Sequence, residues 1–396
     1  MVLDHHAKNR WGILAAFSSV ALISQMLWLN FAPILTQIQE KFGKDEATAS
    51  LLILVFPLLY VVLSIPSGIL IDRKGYRFSA ALGAVIQAAF SFLRLFDSFE
   101  AMLVGQIGIA VAQPFIVNGI SKLASDRFDE DQGAIANGIG TMGMFIGMAL
   151  ALALTPILVE KFDLRSAMFF FSGISVLSTV IYLLVDKGTG LTSESSSVTG
   201  SFGMLLKDKY LLLLFTLAFI GLGFFNGLTT WLEKILQPAG IGPVDAGLIG
   251  GALICGGIAG SAVIPALSDK FRRRKPFVLS CLVFALAITY PLCTGGNFTV
   301  LVIEGALLGF FFLPAFALLL EMCSELAGEK HTGAATGLLM MAGNAGGVFV
   351  ILSMEWVKGD APSFYPAVLF LMALLGAAFI GAVISRETYG YKSPYE

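Results

Sequence analysis

Apolar residues run in long blocks along this chain, and the polar residues are gathered between them. A helix crossing a hydrocarbon core of roughly 30 Å needs about 20 mostly apolar residues. Blocks of that length fall near residues 11–38, 47–71, 78–97, 101–123, 133–157, 166–186, 209–232, 244–267, 276–294, 298–322, 333–357 and 364–385. The pattern predicts an all-α polytopic membrane protein with about twelve transmembrane helices. Between the sixth and seventh blocks, residues 186–202 read DKGTGLTSESSSVTGSF, the only long Ser/Gly/Thr-rich stretch. That composition predicts a flexible linker. The expected division is an N-terminal six-helix half at 1–185, a linker at 186–203 and a C-terminal six-helix half at 204–396.

Composition supports the membrane reading. Of 396 residues, 57% are hydrophobic and 13% charged, too little polar surface for a soluble globule. The net charge of -2 gives no field that would draw nucleic acid, so the placement of charges carries the information. With the amino terminus inside, Lys8, Arg10, Arg73, Lys74, Arg77, Lys122, Arg127, Lys187, Lys207, Lys209, Lys270, Arg272, Arg273, Arg274, Lys275, Lys330, Arg386 and Lys392 fall on the cytoplasmic side. Only Lys41, Lys44, Arg94, Lys161, Arg165, Lys234 and Lys358 fall at or near outer ends. This asymmetry predicts both termini in the cytoplasm of a multi-pass protein of the plasma (inner) membrane. The polar start runs into a block too long for a signal-peptide core, so no cleaved signal is expected. The four cysteines show neither CxxC nor Cys/His spacing, and no disulfide framework, metal or cofactor is signalled.

The chain also repeats itself. GILIDRKGYR at 68–77 has an echo in PALSDKFRRRK at 265–275, with Asp269 and Lys270 in the places of Asp72 and Arg73. Pro114 and Pro314 match, and Gly133-Ala-Ile-Ala-Asn-Gly138 matches Gly333-Ala-Ala-Thr-Gly337. Several matches at nearly one offset imply two six-helix halves related by an axis along the membrane normal. The Asp72-Arg73-x-Gly75-x-Arg77 turn resembles the loop between the second and third helices of major facilitator transporters. That resemblance implies alternating access, with Asp72, Arg73, Arg77 and Asp269 gating the cytoplasmic side and Asp72 latched to a neighbouring helix amino terminus, which favours negative charge. Glu321 and Glu325, one turn apart at the inner end of the tenth block, are expected to serve the same gate.

In a repeat transporter substrate sits near mid-membrane, so polar and aromatic residues in the middles of the blocks are the candidates. Trp28 lies deep in the first block, between Gln25 and Asn30. In the fourth, Gln106 and Gln113 share a helix face, with Pro114 and Asn118 adding a break and another amide. The seventh gathers Phe224, Phe225, Asn226, Thr229, Thr230 and Trp231, and the eleventh has Asn344 among glycines. Amides and small residues also serve to pack helices together. Glu304 lies about a turn and a half into the tenth block, a carboxylate positioned to carry a coupling proton or sodium ion or to snorkel outward. Arg94, near the outer end of the third, is a possible partner for Glu304 or for Asp97.

The segments AVAQPFIVNGISKLAS, MLWLNF, GFFNGLTTWLEKIL, GFFFLPAFALLLEMCSEL and GAATGLLMMAGNAGG resemble the feline leukaemia virus subgroup C receptor-related branch of the major facilitators. That branch carries choline and ethanolamine and has also been assigned haem. The resemblance implies that Trp28 stacks on the ammonium group with Gln113 beside it. The branch's tyrosine in the seventh helix falls at Asn226 and its glutamine in the eleventh at Asn344. One ring of the aromatic cage is thereby replaced, with Phe224 or Phe225 placed to supply the missing face.

The expected function is secondary transport of a small organic solute, with an amine or choline-like cation as the substrate class, by a monomer in which two halves rock about a cavity lined by Trp28, Gln113, Asn118, Asn226, Trp231 and Asn344. The alternative is a transporter of organic anions or drugs (efflux). An anion carrier calls for a buried basic residue near mid-membrane, and the drug antiporters' Arg in the fourth helix and Gly-Pro pair in the fifth are both missing. A receptor would need a sizeable exposed domain, whereas the loops are short. An intramembrane enzyme would need a polar cluster, and His5, His6 and His331 all lie near block ends. No GxxxxGK[ST] motif is present, which speaks against direct ATP drive.

Overall fold

The computed structural model describes residues 9–187, 203–328 and 331–391. Most of the expected linker, together with His5, His6, Lys8, Lys330 and Lys392, lies outside the described residues. In chain order the helices are α1 (Arg10–Leu29), α2 (Leu35–Phe42), α3 (Glu46–Ser91), α4 (Phe99–Val117), α5 (Gly119–Arg127), α6 (Glu130–Lys161), α7 (Leu164–Val185), α8 (Lys209–Leu236), α9 (Pro243–Phe271), α10 (Lys275–Thr294), α11 (Phe298–Ala327), α12 (Thr332–Lys358) and α13 (Tyr365–Ile384). Several begin on side chains that accept from first-turn N–H groups, as Ser, Asp and Asn do at helix starts. Ser98 caps α4, Asp163 caps α7, Asp208 caps α8 and Asn297 caps α11. Donation from the Ser166 backbone holds the Asp163 carboxyl below the usual carboxylate range.

Among the described residues, eleven helices are long and apolar enough to cross a membrane, against the twelve blocks counted in the sequence. The difference lies in one segment, Glu46–Leu95, whose 50 residues would extend ~75 Å if straight, more than twice the membrane core. It is not straight. Gly75 interrupts it at φ 80° and ψ 159°, a conformation that favours glycine. Before Gly75 the contacts with the fourth helix ascend, from Leu52 with Gln106 to Ser67 with Asn118. After it they descend, from Ser79 with Phe115 through Gly83 beside Ala112 to Phe90 beside Gly108. The chain therefore folds back within the DRKGYR turn, and a single glycine does what the sequence reading assigned to a loop.

Two compact units result, one holding residues 9–44 and 48–187 of those described, the other 45–47 and 203–391. In the first, α1 is buried over most of its surface and crosses α6 closely enough that a Cβ on Gly147 would lie 2.1 Å from the Leu22 carbonyl oxygen. The second unit repeats the arrangement with α8 and α12, where a Cβ on Gly346 would lie 1.8 Å from the Phe219 carbonyl oxygen. Small residues let membrane helices approach at backbone distance, where dispersion and polar contacts replace the missing hydrophobic drive. The same device joins α9 to α11: a Cβ on Gly309 would stand 1.7 Å from the Leu253 carbonyl oxygen, and one on Gly260 1.9 Å from that of Phe310.

Candidate functional site

In the first unit α1 stops at Leu29, and a 3₁₀ turn at Ala32–Ile34 with Pro33 separates it from α2. The first membrane pass is thus broken just beyond Trp28. The Trp28 indole N–H donates to the Ile53 carbonyl at 3.3 Å, and its ring lies near-parallel to Phe56, 6.2 Å between centroids. Around this break sit buried amides with unused hydrogen-bonding capacity among the described residues: both side-chain atoms of Asn30, Oε1 of Gln25 and Nε2 of Gln113. Unpaired buried polar groups are expensive, so such atoms are places to look for water or ligand. Asn118 is different. It accepts from the Tyr60 hydroxyl at 2.6 Å and donates to Ser67 at 2.9 Å, tying the break between α4 and α5 to the first arm of α3.

In the second unit the Phe224 ring packs 4.8 Å from Phe312, and both side-chain atoms of buried Asn226 lack a partner among the described residues. Thr230, one turn further along α8, is buried with its hydroxyl unpaired too. Asn226 packs against Gly347, where a Cβ would come within 2.2 Å of its Nδ2. Trp231 is fully buried, donates to the Ile351 carbonyl at 3.2 Å and has Phe364 4.9 Å from its ring, a setting of helix packing. Asn344 donates to Met340 of its own helix at 2.9 Å.

Three of the expected gate residues converge on one arginine. In the second unit Arg274 collects three of them: Asp269 at 2.6 Å, Glu321 at 2.8 Å and Glu325 at 3.1 Å. Burial works to loosen its proton, but Glu321, Asp269 and Glu325 together outweigh it and hold the guanidinium above its ordinary pKa. Glu387 accepts from the backbone N–H groups of Arg274 and Lys275 at 2.8 and 3.2 Å, closing the amino terminus of α10. In the first unit the hub has opposite sign. Asp186, its side chain wholly buried, receives Arg127 at 3.3 Å and Arg77, whose Nε donates to the Asp186 carbonyl at 2.6 Å. Arg127 also donates to the Tyr76 hydroxyl, 2.8 Å away. Asp72 is half-buried beside the reversal and Arg73 is exposed.

Arg127, Asp186, Arg274 and Glu387 are absent from the gate expected from sequence. For three of them the repeat carries a signal: Arg77 and Arg274 are 197 positions apart, as are Asp72 and Asp269, while Asp186 and Glu387 both follow the last helix of their half. Asp186, the first residue of the segment expected to be a linker, is buried in this cluster.

Two charges lie within membrane-crossing segments. Arg94 is fully buried and makes no ion pair among the described residues; Asp97 is held instead by Lys41 at 2.7 Å. Glu304 is half-buried on α11 beside exposed Val300, Ile303 and Leu307, and has no ion-pair partner among the described residues. That setting is one of snorkelling along a lipid-facing surface.

Comparison with known proteins places this geometry. The family model for the Major Facilitator Superfamily matches residues 17–351. The Danio rerio choline/ethanolamine transporter flvcr2b is 26% identical, over 96% of this chain and 83% of its own length. Solute carrier family 49 member A3 of Xenopus tropicalis is 25% identical, over 90% of this chain and 80% of its own. An uncharacterized protein of Archaeoglobus fulgidus is 31% identical, over 52% of this chain and 94% of its own. With glycine-tight helix pairs recurring in both units, a glycine reversal after the second pass and a family match across most of its length, this chain belongs to the major facilitator superfamily, as a secondary transporter that moves a small organic solute by alternating access.

Proposed function

We propose that the solute is a choline-like amine, bound through aromatic faces and neutral amides. The observation that carries this reading is the chemistry gathered on the two units: Trp28 with Phe56 and Phe224 with Phe312, each accompanied by buried amides lacking partners, Gln25, Asn30 and Gln113 in one and Asn226 in the other. An aromatic face attracts a quaternary ammonium through its quadrupole and needs no carboxylate. The amide oxygens of Gln25, Asn30 and Asn226 suit the hydroxyl of choline or the N–H groups of ethanolamine. Relatives named as choline/ethanolamine transporters support the substrate class. Asn226 and Asn344 stand where, by the resemblance, the branch has tyrosine and glutamine.

The organic-anion alternative would draw on Arg94, the buried guanidinium of the first unit. Its Nη atoms already donate to the Leu27 carbonyl, the Gln106 amide oxygen and the Met168 sulfur, leaving Nε alone without a partner among the described residues. The chain acts as a monomer with both termini in the cytoplasm, a reading supported by the excess of basic residues on that side. The setting of Glu304 gives no support to a coupling role.

Calorimetry on the protein in nanodiscs tests this directly, with choline and its uncharged carbon isostere 3,3-dimethylbutan-1-ol. Choline is expected to bind and the isostere to bind far more weakly, because only the charge engages the rings. Trp28→Ala should weaken choline by about 1–2 kcal/mol. Equal binding of choline and the isostere, or an unchanged choline affinity in the variant, would overturn the reading.

A further inference from the structure

The buried Arg94 and Gln106 are not used by the transport reading above, yet they meet the main chain immediately beside its central residue. Because α1 ends at Leu29 and the chain turns through Ala32–Ile34, the last carbonyls of α1 lose their helical donors. The Leu27 carbonyl accepts instead from Arg94 Nη1 at 3.4 Å and from Gln106 Nε2 at 3.3 Å. Gln106 Nε2 donates to the Leu52 carbonyl as well, at 2.8 Å, while its oxygen accepts from Arg94 at 3.0 Å. One amide thus ties residue 27 to residue 52. The next residues along each strand of chain, Trp28 and Ile53, are joined by the indole hydrogen bond at 3.3 Å.

We propose that Arg94 and Gln106 are positioning residues that clamp the end of α1 against α3 and so fix the direction of the Trp28 ring; for the substrate this rests on the assignment of Trp28 as the ammonium-stacking residue. The chemistry fits the task. A guanidinium at a helix carboxyl end faces the negative pole of the peptide dipoles, and Phe31 lies 5.2 Å from its centre. Burying an arginine without a carboxylate is costly, and an apolar pair would fill the volume more cheaply. What the polar pair adds is geometry: two carbonyls on two helices are held by one rigid amide, and Arg94 Nη1 braces both that amide's oxygen and the Leu27 carbonyl. An aromatic wall that must meet a small cation needs such outer support, since loss of about 0.5 Å of placement degrades a site.

The test uses full-length protein labelled with 5-fluorotryptophan in nanodiscs. The sequence holds four tryptophans, so four fluorine resonances arise, and loss of one in Trp28→Phe assigns it. Gln106→Met is expected to shift or split the Trp28 resonance while those of Trp11, Trp231 and Trp356 stay in place, and to raise the choline Kd roughly tenfold. Arg94→Lys, which keeps the charge but loses the fork, should act in the same direction and serves where Gln106→Met does not fold. A single, unshifted Trp28 resonance in either folded variant overturns the proposal. So does an unshifted choline Kd in a protein whose wild type binds choline. If the wild type binds no choline while the resonance still moves in the variants, the substrate reading falls and the clamp stands.

Discussion

Gly309→Val should abolish the folded second unit. A Cβ at Gly309 would lie 1.7 Å from the Leu253 carbonyl oxygen and 3.0 Å from the Gly257 nitrogen, so the obstruction is backbone, which cannot rotate away. Relief requires α9 and α11 to separate, and separation would break the neighbouring approaches of Gly256 to Ala306 and Gly260 to Phe310. Overpacking a yielding core costs about 1–3 kcal/mol, and a backbone-on-backbone clash that undoes a whole helix pair should exceed that range. The expected result is loss of the monodisperse species in detergent. Gly376→Ala provides the control, because a Cβ there meets nothing within 4 Å. A Gly309→Val protein that melts within a few degrees of wild type would show that this helix pair is not packed as described.

Asp186→Asn is the second large effect. The carboxylate is wholly buried, receives Arg127 and Arg77, and lies 3.4 Å from the Tyr182 hydroxyl. Neutralising it leaves Arg127, itself mostly buried, without its anionic partner. Removing one member of a buried ion pair costs about 3–5 kcal/mol, reduced here to about 2–3 kcal/mol because Arg77 is about a third exposed. A double-mutant cycle with Arg127→Gln isolates the pair: a coupling energy above about 1 kcal/mol is expected, and simple additivity would mean that the two side chains do not interact. Because Asp186 ends the last helix of its half and Arg77 follows the glycine reversal, the same substitution should also alter transport rate.

The second-unit counterpart shows how far a sequence reading reaches at these clusters. Asp269, Glu321 and Glu325 are picked out as expected gate residues from their position at the ends of apolar blocks. Their common partner, Arg274, is one of five basic residues in the six positions from Lys270 to Lys275, interrupted by Phe271, and nothing local marks it out. Its selection depends on the turn after α9, where Arg272 adopts φ 54° and directs the following residues. Asp72, chosen for its motif, is joined in importance by Arg77, which reaches a residue 109 positions away. Around Trp28 the same division holds. Its depth in an apolar block singles it out, whereas the clamp from Gln106 and Arg94 joins residues 27, 52, 94 and 106, which no periodicity relates.

What the amino-acid order determined by itself is the existence and length of the membrane-crossing segments. Those follow from the thickness of the bilayer, a constraint that acts on each segment separately. Which face of each helix turns inward was decided by tertiary structure alone. Helix α13 is apolar throughout, yet it buries Ala367, Leu371, Leu375, Ala378 and Ala382 and leaves Leu369, Ile380 and Val383 exposed. Lipid and protein interior are equally apolar, so hydropathy cannot distinguish the two faces, and only the fit of small residues against neighbouring backbones does. The same fit decides which amides keep unpaired atoms beside Trp28 and Asn226, and therefore where a solute can be held.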